Sequence, residues 1–262
     1  MTINAITLVD LDDTLFQTAR KCPPHIPANQ LTPMAFGEDG RPISYATPAQ
    51  MNFIRWLEET TFVVAVTARS TAALLRADLN FRMAVTSHGG SILRTGRDHK
   101  GGPPPILCEA WHFKMQKALL PHYPLLMQME ANILTYADSR GHRVRTRIVD
   151  EGGLPLYLVI KHQDADGNDD ELHDATRPAR LSLPIGWTAH VNGNNVALMP
   201  PGLGKAHAAA VLLDELRATH PHLPVIGIGD SHTDADFMAL CNFAMTPTGS
   251  QLAGQIFKRD RR

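Results

Sequence analysis

Three apolar segments limit the folds open to this chain. Residues 6–9, 62–66 and 225–229 are almost wholly apolar, with Thr7 as their only polar member. A strand of this kind must be covered on both faces, as happens in a parallel sheet with helices on each side. The sequence therefore predicts an α/β protein with a doubly wound parallel-sheet (Rossmann-like) core.

Polar residues follow each of these segments at once. Asp10 and Asp12 follow the first, Thr67 the second and Asp230 the third. Because open α/β sheets bind ligands beyond the carboxyl ends of their strands, we expect one shared site. An Asp-x-Asp pair alone also occurs as a turn cap and in glycosyltransferases that hold a metal-bound nucleotide sugar. A functional interpretation rests on the whole ordered set: Asp10, Asp12, Thr67, Lys205, Asp230 and Asp234.

The composition of the chain limits the kinds of partner that it is expected to bind. The chain has 262 residues, is 44% hydrophobic and carries a formal net charge of -1, so no sequence-wide attraction to nucleic acid or an anionic membrane is expected. No apolar run reaches the ~20 residues of a membrane helix, and the first strand leaves no room for a secretory signal. We predict a cytoplasmic protein, with oligomeric state left open. Cys22, Cys108 and Cys241 lack the paired spacing of a zinc site or disulfide framework.

Strand and helix signals alternate in two parts of the chain. Residues 1–87 read β-α-β-α-β, with one helix capped by Thr47 and another near 70–79, and residues 198–262 resume the rhythm. These two parts are predicted to form the catalytic core.

Residues 88–197 break the alternation. They predict a long helix over 111–131, an antiparallel strand pair over 142–149 and 156–162, a second helix and two further strands. This pattern favours an inserted α+β domain.

The carboxylate pair suggests phosphoryl transfer. Asp10 can attack phosphorus to form an aspartyl phosphate, and Asp12 can protonate the leaving oxygen and later deprotonate water. Several carboxylates facing a phosphate need a cation, and oxygen ligands suit Mg²⁺. Asp230 is the first choice beside Asp10. Asp234 either joins the metal shell or complements a helix dipole.

Lys205 and Thr67 are predicted to bind the phosphate. The Lys205 ammonium at a helix N-terminus is unfavourable because it faces the positive end of the helix dipole, and the negative charges of Asp10 and a phosphate would offset this cost. The alternative is that Lys205 is a surface lysine on a glycine-rich turn. Thr67 and the amide of Ala68 can hold phosphate oxygens, although Thr67 is also a typical helix N-cap. Ala68 and Arg69 are candidate substrate-binding residues.

With these residues the chain resembles the haloacid dehalogenase superfamily of phosphohydrolases. Residues 10–14 match its first motif, Thr67 its second, Lys205 its third and residues 229–234 its fourth. An insertion between the second and third motifs is similar to the subgroup with an α+β cap, which includes phosphatases for sucrose phosphate and mannosyl-3-phosphoglycerate. The resemblance implies a Mg²⁺-dependent phosphatase of small phosphate esters, with nucleophile Asp10, acid/base Asp12 and the Asp12 carbonyl in the metal shell.

Two features depart from that family. Thr233 stands where many relatives carry Asn, and residues 20–46 form a long irregular stretch that is either a flap over the site or a surface excursion. Other classes remain open: a phosphoacceptor receiver domain, a dehalogenase, a hydrolase of a non-sugar substrate, or a catalytically silent relative.

Three arginines that alternate along one predicted strand of the cap, which we call the basic stripe, are candidate substrate-binding residues. Arg143, Arg145 and Arg147 alternate with Val144, Thr146 and Ile148, so one strand face is basic and the other mostly apolar. Guanidinium groups on an open face suit a phosphorylated sugar or sugar acid. An edge strand kept soluble by charge is the alternative.

Overall fold

A computed structural model of the chain describes residues 3–95, 102–164, 169–191 and 193–256. Its contacts divide the chain into two units, which we call the core unit (Met1–Glu109 with Gly204–Arg262) and the insertion (Ala110–Leu203). The sequence places the insertion at 88–197, so the two ends of the insertion differ from that expectation.

The strands, in chain order, are β1 (Ala5–Val9), β2 (Thr32–Phe36), β3 (Pro42–Ala46), β4 (Thr61–Val66), β5 (Met83–Thr86), β6 (Ser91–Arg94), β7 (Ile106–Leu107), β8 (Val144–Glu151), β9 (Leu154–His162), β10 (Thr188–Val191), β11 (Val196–Met199), β12 (Val225–Ile228) and β13 (Phe243–Met245). The helices are α1 (Pro48–Thr60), α2 (Thr71–Leu74), α3 (Glu109–Leu119), α4 (Tyr123–Arg140), α5 (Asp169–Leu181), α6 (Lys205–Thr219), α7 (His232–Met238) and α8 (Gln251–Ile256). Within the described parts of the chain, no helix combines the length and apolar character needed to cross a bilayer.

The core unit is built on a seven-stranded sheet in the order β13-β12-β1-β4-β5-β6-β7. The strands from β13 to β5 run parallel, with Val9 level with Ile228 on one side and Ala65 on the other. Every residue of β1 and β4 is buried, as central strands covered on both faces require. The predicted α/β fold with a parallel-sheet core is confirmed.

An antiparallel extension moves the first boundary of the insertion. β6 pairs with β5 and β7 pairs with β6, both antiparallel, so the chain continues the core sheet beyond Thr86 before it leaves. Antiparallel neighbours can be joined by a short turn without a crossover helix. The glycine pair at 89–90 lies in the turn that joins β5 to β6.

Helix α1 begins as the sequence predicts, whereas α2 is shorter than expected. The Thr47 hydroxyl accepts from the Gln50 amide at 3.3 Å and the Gln50 side chain accepts from the Thr47 amide at 2.9 Å, a reciprocal capping box. Helix α2 stops at Leu74 because the chain then pairs with β2. The Asp78 amide donates to the Met34 carbonyl at 2.6 Å, which replaces the next helical turn. The helix expected over 70–79 is therefore wrong beyond its first turn.

The stretch after the first carboxylates, predicted as irregular, contains the β2–β3 hairpin. The two strands pair antiparallel, and Met34, Ala35 and Ala46 are fully buried in a hydrophobic core cluster with Val9 and Leu57. Backbone bonds join Gln17 and Tyr45 in both directions, at 3.0 and 2.7 Å. The hairpin is thus packed into the core unit.

The insertion contains an antiparallel sheet, β10-β11-β9-β8, and helices α4 and α5 pack against it. The predicted strand pair corresponds to β8 and β9. The long helix expected over 111–131 is wrong, since α3 ends at Leu119, a 3₁₀ turn follows and α4 runs to Arg140. Pro121 and Pro124 lack the amide hydrogen that a continuous helix needs. A Cβ added at Gly202, near the end of the insertion, would lie 3.7 Å from the Cβ of Ala118 in α3.

Strand β8 has the two faces expected from its alternation. Val144 and Ile148 pack with the apolar core of the insertion, beside Leu126 and Leu158. Arg145 and Arg147 point to the opposite side and are exposed. Because β8 is an edge strand of this sheet, its charged side chains also protect the exposed edge against pairing with another chain.

Candidate active site

The first carboxylate group lies directly beyond β1. The Asp10 amide donates to the Ile228 carbonyl at 2.9 Å, which continues the strand register to the end of the sheet. Asp13 then takes a left-handed conformation (φ 61), which Asp tolerates better than most residues, and forms an ion pair with Lys21. This turn reverses the chain so that Asp10 is buried while Asp12 lies nearer the surface.

Lys205 bridges two carboxylates at the start of α6. Its Nζ lies 2.7 Å from Asp10 Oδ1 and 2.7 Å from Asp234 Oδ1. Burial would lower the pKa of the Lys205 ammonium, but the two carboxylates outweigh burial and hold that pKa above its usual value. The prediction that carboxylate partners offset the unfavourable helix dipole is supported by this contact.

Asp234 lies in the first turn of α7 with both oxygens engaged. Its Oδ2 accepts from the Ser231 hydroxyl at 2.7 Å and from the amides of Ser231 and Asp230 at 3.0 and 3.3 Å. Burial works to raise the pKa of Asp234, but Lys205 and the Ser231 donors outweigh burial and lower it. Asp234 is therefore an ionised carboxylate that fixes Lys205. Ser231 gave no signal in the sequence beyond its place in the fourth motif.

Three carboxylates meet around this lysine. Asp10, Asp230 and Asp234 are buried, and one oxygen from each lies within 4.8 Å of the others. The Thr14 hydroxyl is 3.3 Å from Asp10 Oδ2 and 3.2 Å from Asp230 Oδ1. Thr14 was missed as a site residue, although it lies in the first motif.

The charge of this cluster fits a divalent cation. Burial, followed by the neighbouring Asp234 and Asp13, raises the pKa of Asp230 to about 7. Burial raises the pKa of Asp10 well above its usual value, and Asp234 and Asp230 add to the shift while Lys205 opposes it. Among the described residues the cluster has three carboxylates and a single ammonium, so full ionisation leaves two negative charges. An oxygen-only donor set with that charge suits Mg²⁺.

Thr67 directly follows β4 and is buried in the core unit. Its hydroxyl accepts from the Arg69 amide at 3.1 Å, and its own amide donates to the Val85 carbonyl at 2.9 Å. The alternative role as helix N-cap is wrong, because Ser70 caps α2 through the Ala73 amide. The predicted phosphate-binding turn, Thr67 with Ala68, thus has a defined backbone conformation.

The side chain of Arg69 binds Asp12 directly. Nε lies 2.7 Å from Asp12 Oδ2 and Nη2 lies 2.7 Å from Oδ1. The sequence predicts a substrate-binding role for Arg69 and does not reveal this pair. The two residues are 57 positions apart in the chain, and no local pattern signals such a contact.

A strained segment supports both Thr67 and Lys205. Ser87, His88 and Gly89 all have positive φ, which is uncommon for Ser and His. The Ser87 amide donates to the Arg69 carbonyl at 2.7 Å and the His88 amide to the Thr67 carbonyl at 3.2 Å. A Cβ on Gly89 would lie 2.3 Å from the oxygen of Gly204, the residue before Lys205. The sequence does not predict this run of three residues with positive φ, although the glycine pair at 89–90 is typical of a turn.

The three arginines of the basic stripe belong to the insertion. Arg143 forms an ion pair with Asp164 at 2.9 Å, both side chains being more than half exposed (61% and 54%). Arg145 and Arg147 are exposed on β8. Their part in substrate binding stays a prediction.

A parallel α/β sheet with carboxylates beyond its strand ends, interrupted by an α+β insertion, defines the structural class of this protein. Solved structures of the same class include phosphatases. The trehalose-6-phosphate phosphatase C-terminal domain of C. albicans has a TM-score of 0.54 at 13% identity, over 89% of this chain and 72% of that one. Sucrose-phosphatase of Synechocystis sp. has a TM-score of 0.52 at 13% identity, over 98% of this chain and 88% of that one.

A nucleotidase is similar to the same degree. An N-terminally truncated IMP-nucleotidase of Plasmodium falciparum has a TM-score of 0.55 at 11% identity, over 94% of this chain and 66% of that one. No protein-family model and no curated protein matches the sequence. These likenesses confirm the fold class that the sequence predicts, a doubly wound parallel-sheet core with an inserted α+β domain.

Proposed function

We propose that this protein is a Mg²⁺-dependent phosphomonoester hydrolase that acts through an aspartyl phosphate on Asp10. The observation that carries the proposal is the buried cluster in which Lys205 binds Asp10 and Asp234 beside Asp230. A site made of one cation and several carboxylates, at the carboxyl ends of parallel strands, suits an anionic ester that arrives with a metal ion.

The reaction follows from the roles of two carboxylates. An oxygen of Asp10 attacks phosphorus, the bond from phosphorus to the leaving oxygen breaks, and Asp12 gives its proton to that oxygen. Asp12 then takes a proton from water as the water attacks the phosphoryl group, which releases Asp10 and inorganic phosphate. Lys205, the Thr67 hydroxyl and the Ala68 amide hold the phosphoryl oxygens.

Mg²⁺ would be held by Asp10, Asp230 and the backbone carbonyl of Asp12. When bound, the ion neutralises negative charge on the phosphoryl group. Asp234 already accepts four hydrogen bonds or ion-pair contacts, which favours indirect support of the metal site through Lys205 and Asp230.

A phosphorylated sugar or sugar acid is the substrate class that we favour. Two neighbours with this fold are named trehalose-6-phosphate phosphatase and sucrose-phosphatase. The insertion would act as the cap that selects the substrate. The exposed Arg145 and Arg147 on β8 suit a substrate with hydroxyl groups or a further negative charge. The setting would be the cytoplasm, with no nucleic-acid or membrane partner.

A nucleoside monophosphate is a second candidate substrate. The likeness to an IMP-nucleotidase, with a TM-score of 0.55, favours it over a regulatory phosphoacceptor without hydrolase activity.

Release of inorganic phosphate tests the proposal. The protein is assayed against sugar phosphates, sugar-acid phosphates and nucleoside monophosphates, with Mg²⁺ and with excess chelator. We expect turnover only with Mg²⁺, and Asp10→Asn should lower kcat by about a thousandfold or more. Turnover that is unchanged in Asp10→Asn, or that persists in chelator, would contradict the mechanism. A matched control is Asp236→Asn, which removes a carboxylate of α7 that takes no part in the cluster.

A further inference from the structure

The orientation of Asp12 is set by a second residue. A carboxylate on a turn can rotate, and the Asp12 side chain is 46% exposed. Arg69 contacts both of its oxygens at 2.7 Å. Such a planar, two-point contact fixes the carboxylate plane as well as its position.

Arg69 is itself held at several points. Its side chain is only 11% exposed, and the guanidinium carbon lies 5.3 Å from the centre of the buried Phe16 ring. Nη2 is 3.5 Å from the Ser44 hydroxyl on β3. The backbone of Arg69 is fixed by Thr67 and Ser87. The guanidinium is therefore placed before any substrate arrives.

We propose that Arg69 is a positioning residue for Asp12. The inference rests on the proposed phosphatase function. A carboxylate has about four lone-pair sites, so the two bonds to Arg69 leave one site on each oxygen for the leaving group. Arg69 thus orients Asp12 and leaves these two sites open.

A positioning role for Arg69 can be distinguished by kinetics from a role as a phosphate ligand. Loss of a phosphate ligand weakens every substrate, whereas loss of Asp12 orientation matters only where the leaving oxygen needs a proton. Alkyl phosphates need that proton, and activated aryl phosphates need it little. The ratio of the two kcat losses therefore reports the role.

The test compares Arg69→Met, Arg69→Lys and wild type on an alkyl phosphate and on p-nitrophenyl phosphate. We expect Arg69→Met to lower kcat on the alkyl phosphate by about tenfold or more, with less than about threefold loss on the aryl phosphate and little change in its KM. Arg69→Lys should fall between, because an ammonium keeps the charge but cannot form the fork. Equal losses on both substrates, or a raised KM for both, would overturn the proposal.

A matched control is Arg94→Met. Arg94 binds Glu215 through two nitrogens at 2.9 and 2.8 Å in the same unit, away from the carboxylate cluster. Its loss should leave the ratio of the two kcat values unchanged. A changed ratio in Arg94→Met would assign the effect to general destabilisation.

A measurement without turnover keeps the two proposals distinguishable. In denaturant unfolding, the effects of Asp12→Asn and Arg69→Met should be non-additive, with a coupling of about threefold or more in the unfolding constant. Additive effects would refute the fork whatever the enzyme hydrolyses. A wild type that hydrolyses no ester would refute the phosphatase function and leave this coupling as the measure of the Arg69 contact.

Discussion

The substitution Gly89→Ala should destabilise the core unit far more than an ordinary glycine replacement. Gly89 has φ +96, and an added Cβ would lie 2.3 Å from the Gly204 oxygen. A left-handed alanine costs about 1–2 kcal/mol, and forcing atoms into a packed interior costs about 1–3 kcal/mol more. The free energy of unfolding should therefore fall by about 2–5 kcal/mol.

Gly40→Ala is the matched control for this prediction. Gly40 also has positive φ (+75), but nothing lies within 4 Å of its Cβ position, so only the conformational cost of about 1–2 kcal/mol applies. Both variants are measured by denaturant unfolding with the same fitted slope. Because Gly204 precedes Lys205, Gly89→Ala should also lower kcat, whereas Gly40→Ala should not. Equal losses of stability in the two variants would refute the proposed contact.

Three further predictions concern single residues. Asp12→Asn should reduce kcat on alkyl phosphates much more than on p-nitrophenyl phosphate, and equal losses in a leaving-group series would contradict its role as acid. In chelator, the raised pKa of Asp230, about 7 in the folded protein against 3.8 ordinarily, means that the folded state keeps a proton that the unfolded state has lost. The free energy of unfolding should therefore fall as pH rises from about 4 to 7. Denaturant unfolding of wild type and Asp230→Asn across this pH range measures the contribution as the difference between their free energies of unfolding. A difference that does not vary with pH would disprove the prediction. Single replacement of Arg143, Arg145 and Arg147 by Ala should raise KM for a sugar phosphate without changing p-nitrophenyl phosphate hydrolysis, and no effect on either substrate would assign the stripe to solubility.

The strand ends were predictable from sequence because their signal is local. Burial on both faces demands a continuous apolar run, and chemistry at the sheet edge places Asp10, Thr67 and Asp230 just after such runs. Lys205 was predicted from its place at a helix start, and the structure brings it into contact with Asp10.

The remaining features depend on contacts distant in sequence. Helix α2 ends early because Asp78 bonds to Met34 of β2, and no property of residues 70–79 by themselves predicts that. The Asp12–Arg69 pair likewise forms only because the turn after β1 and the turn after β4 lie side by side in the folded sheet. The break before α4 is different, since Pro121 and Pro124 are visible in the sequence and outweigh the apolar periodicity around them.

The position of the insertion within the core unit also determines how the chain can fold. β1 pairs with β12, so the central sheet closes only after roughly 90 inserted residues, Ala110–Leu203, have been bridged. Closing a flexible loop of that length costs about 4 kcal/mol of chain entropy. A Cβ added at Gly202 would lie 3.7 Å from the Cβ of Ala118, so the chain near the end of the folded insertion passes close to α3, near its beginning. An insertion that folds first would shorten the effective loop and speed pairing of the central strands, a kinetic role separate from any part in substrate selection.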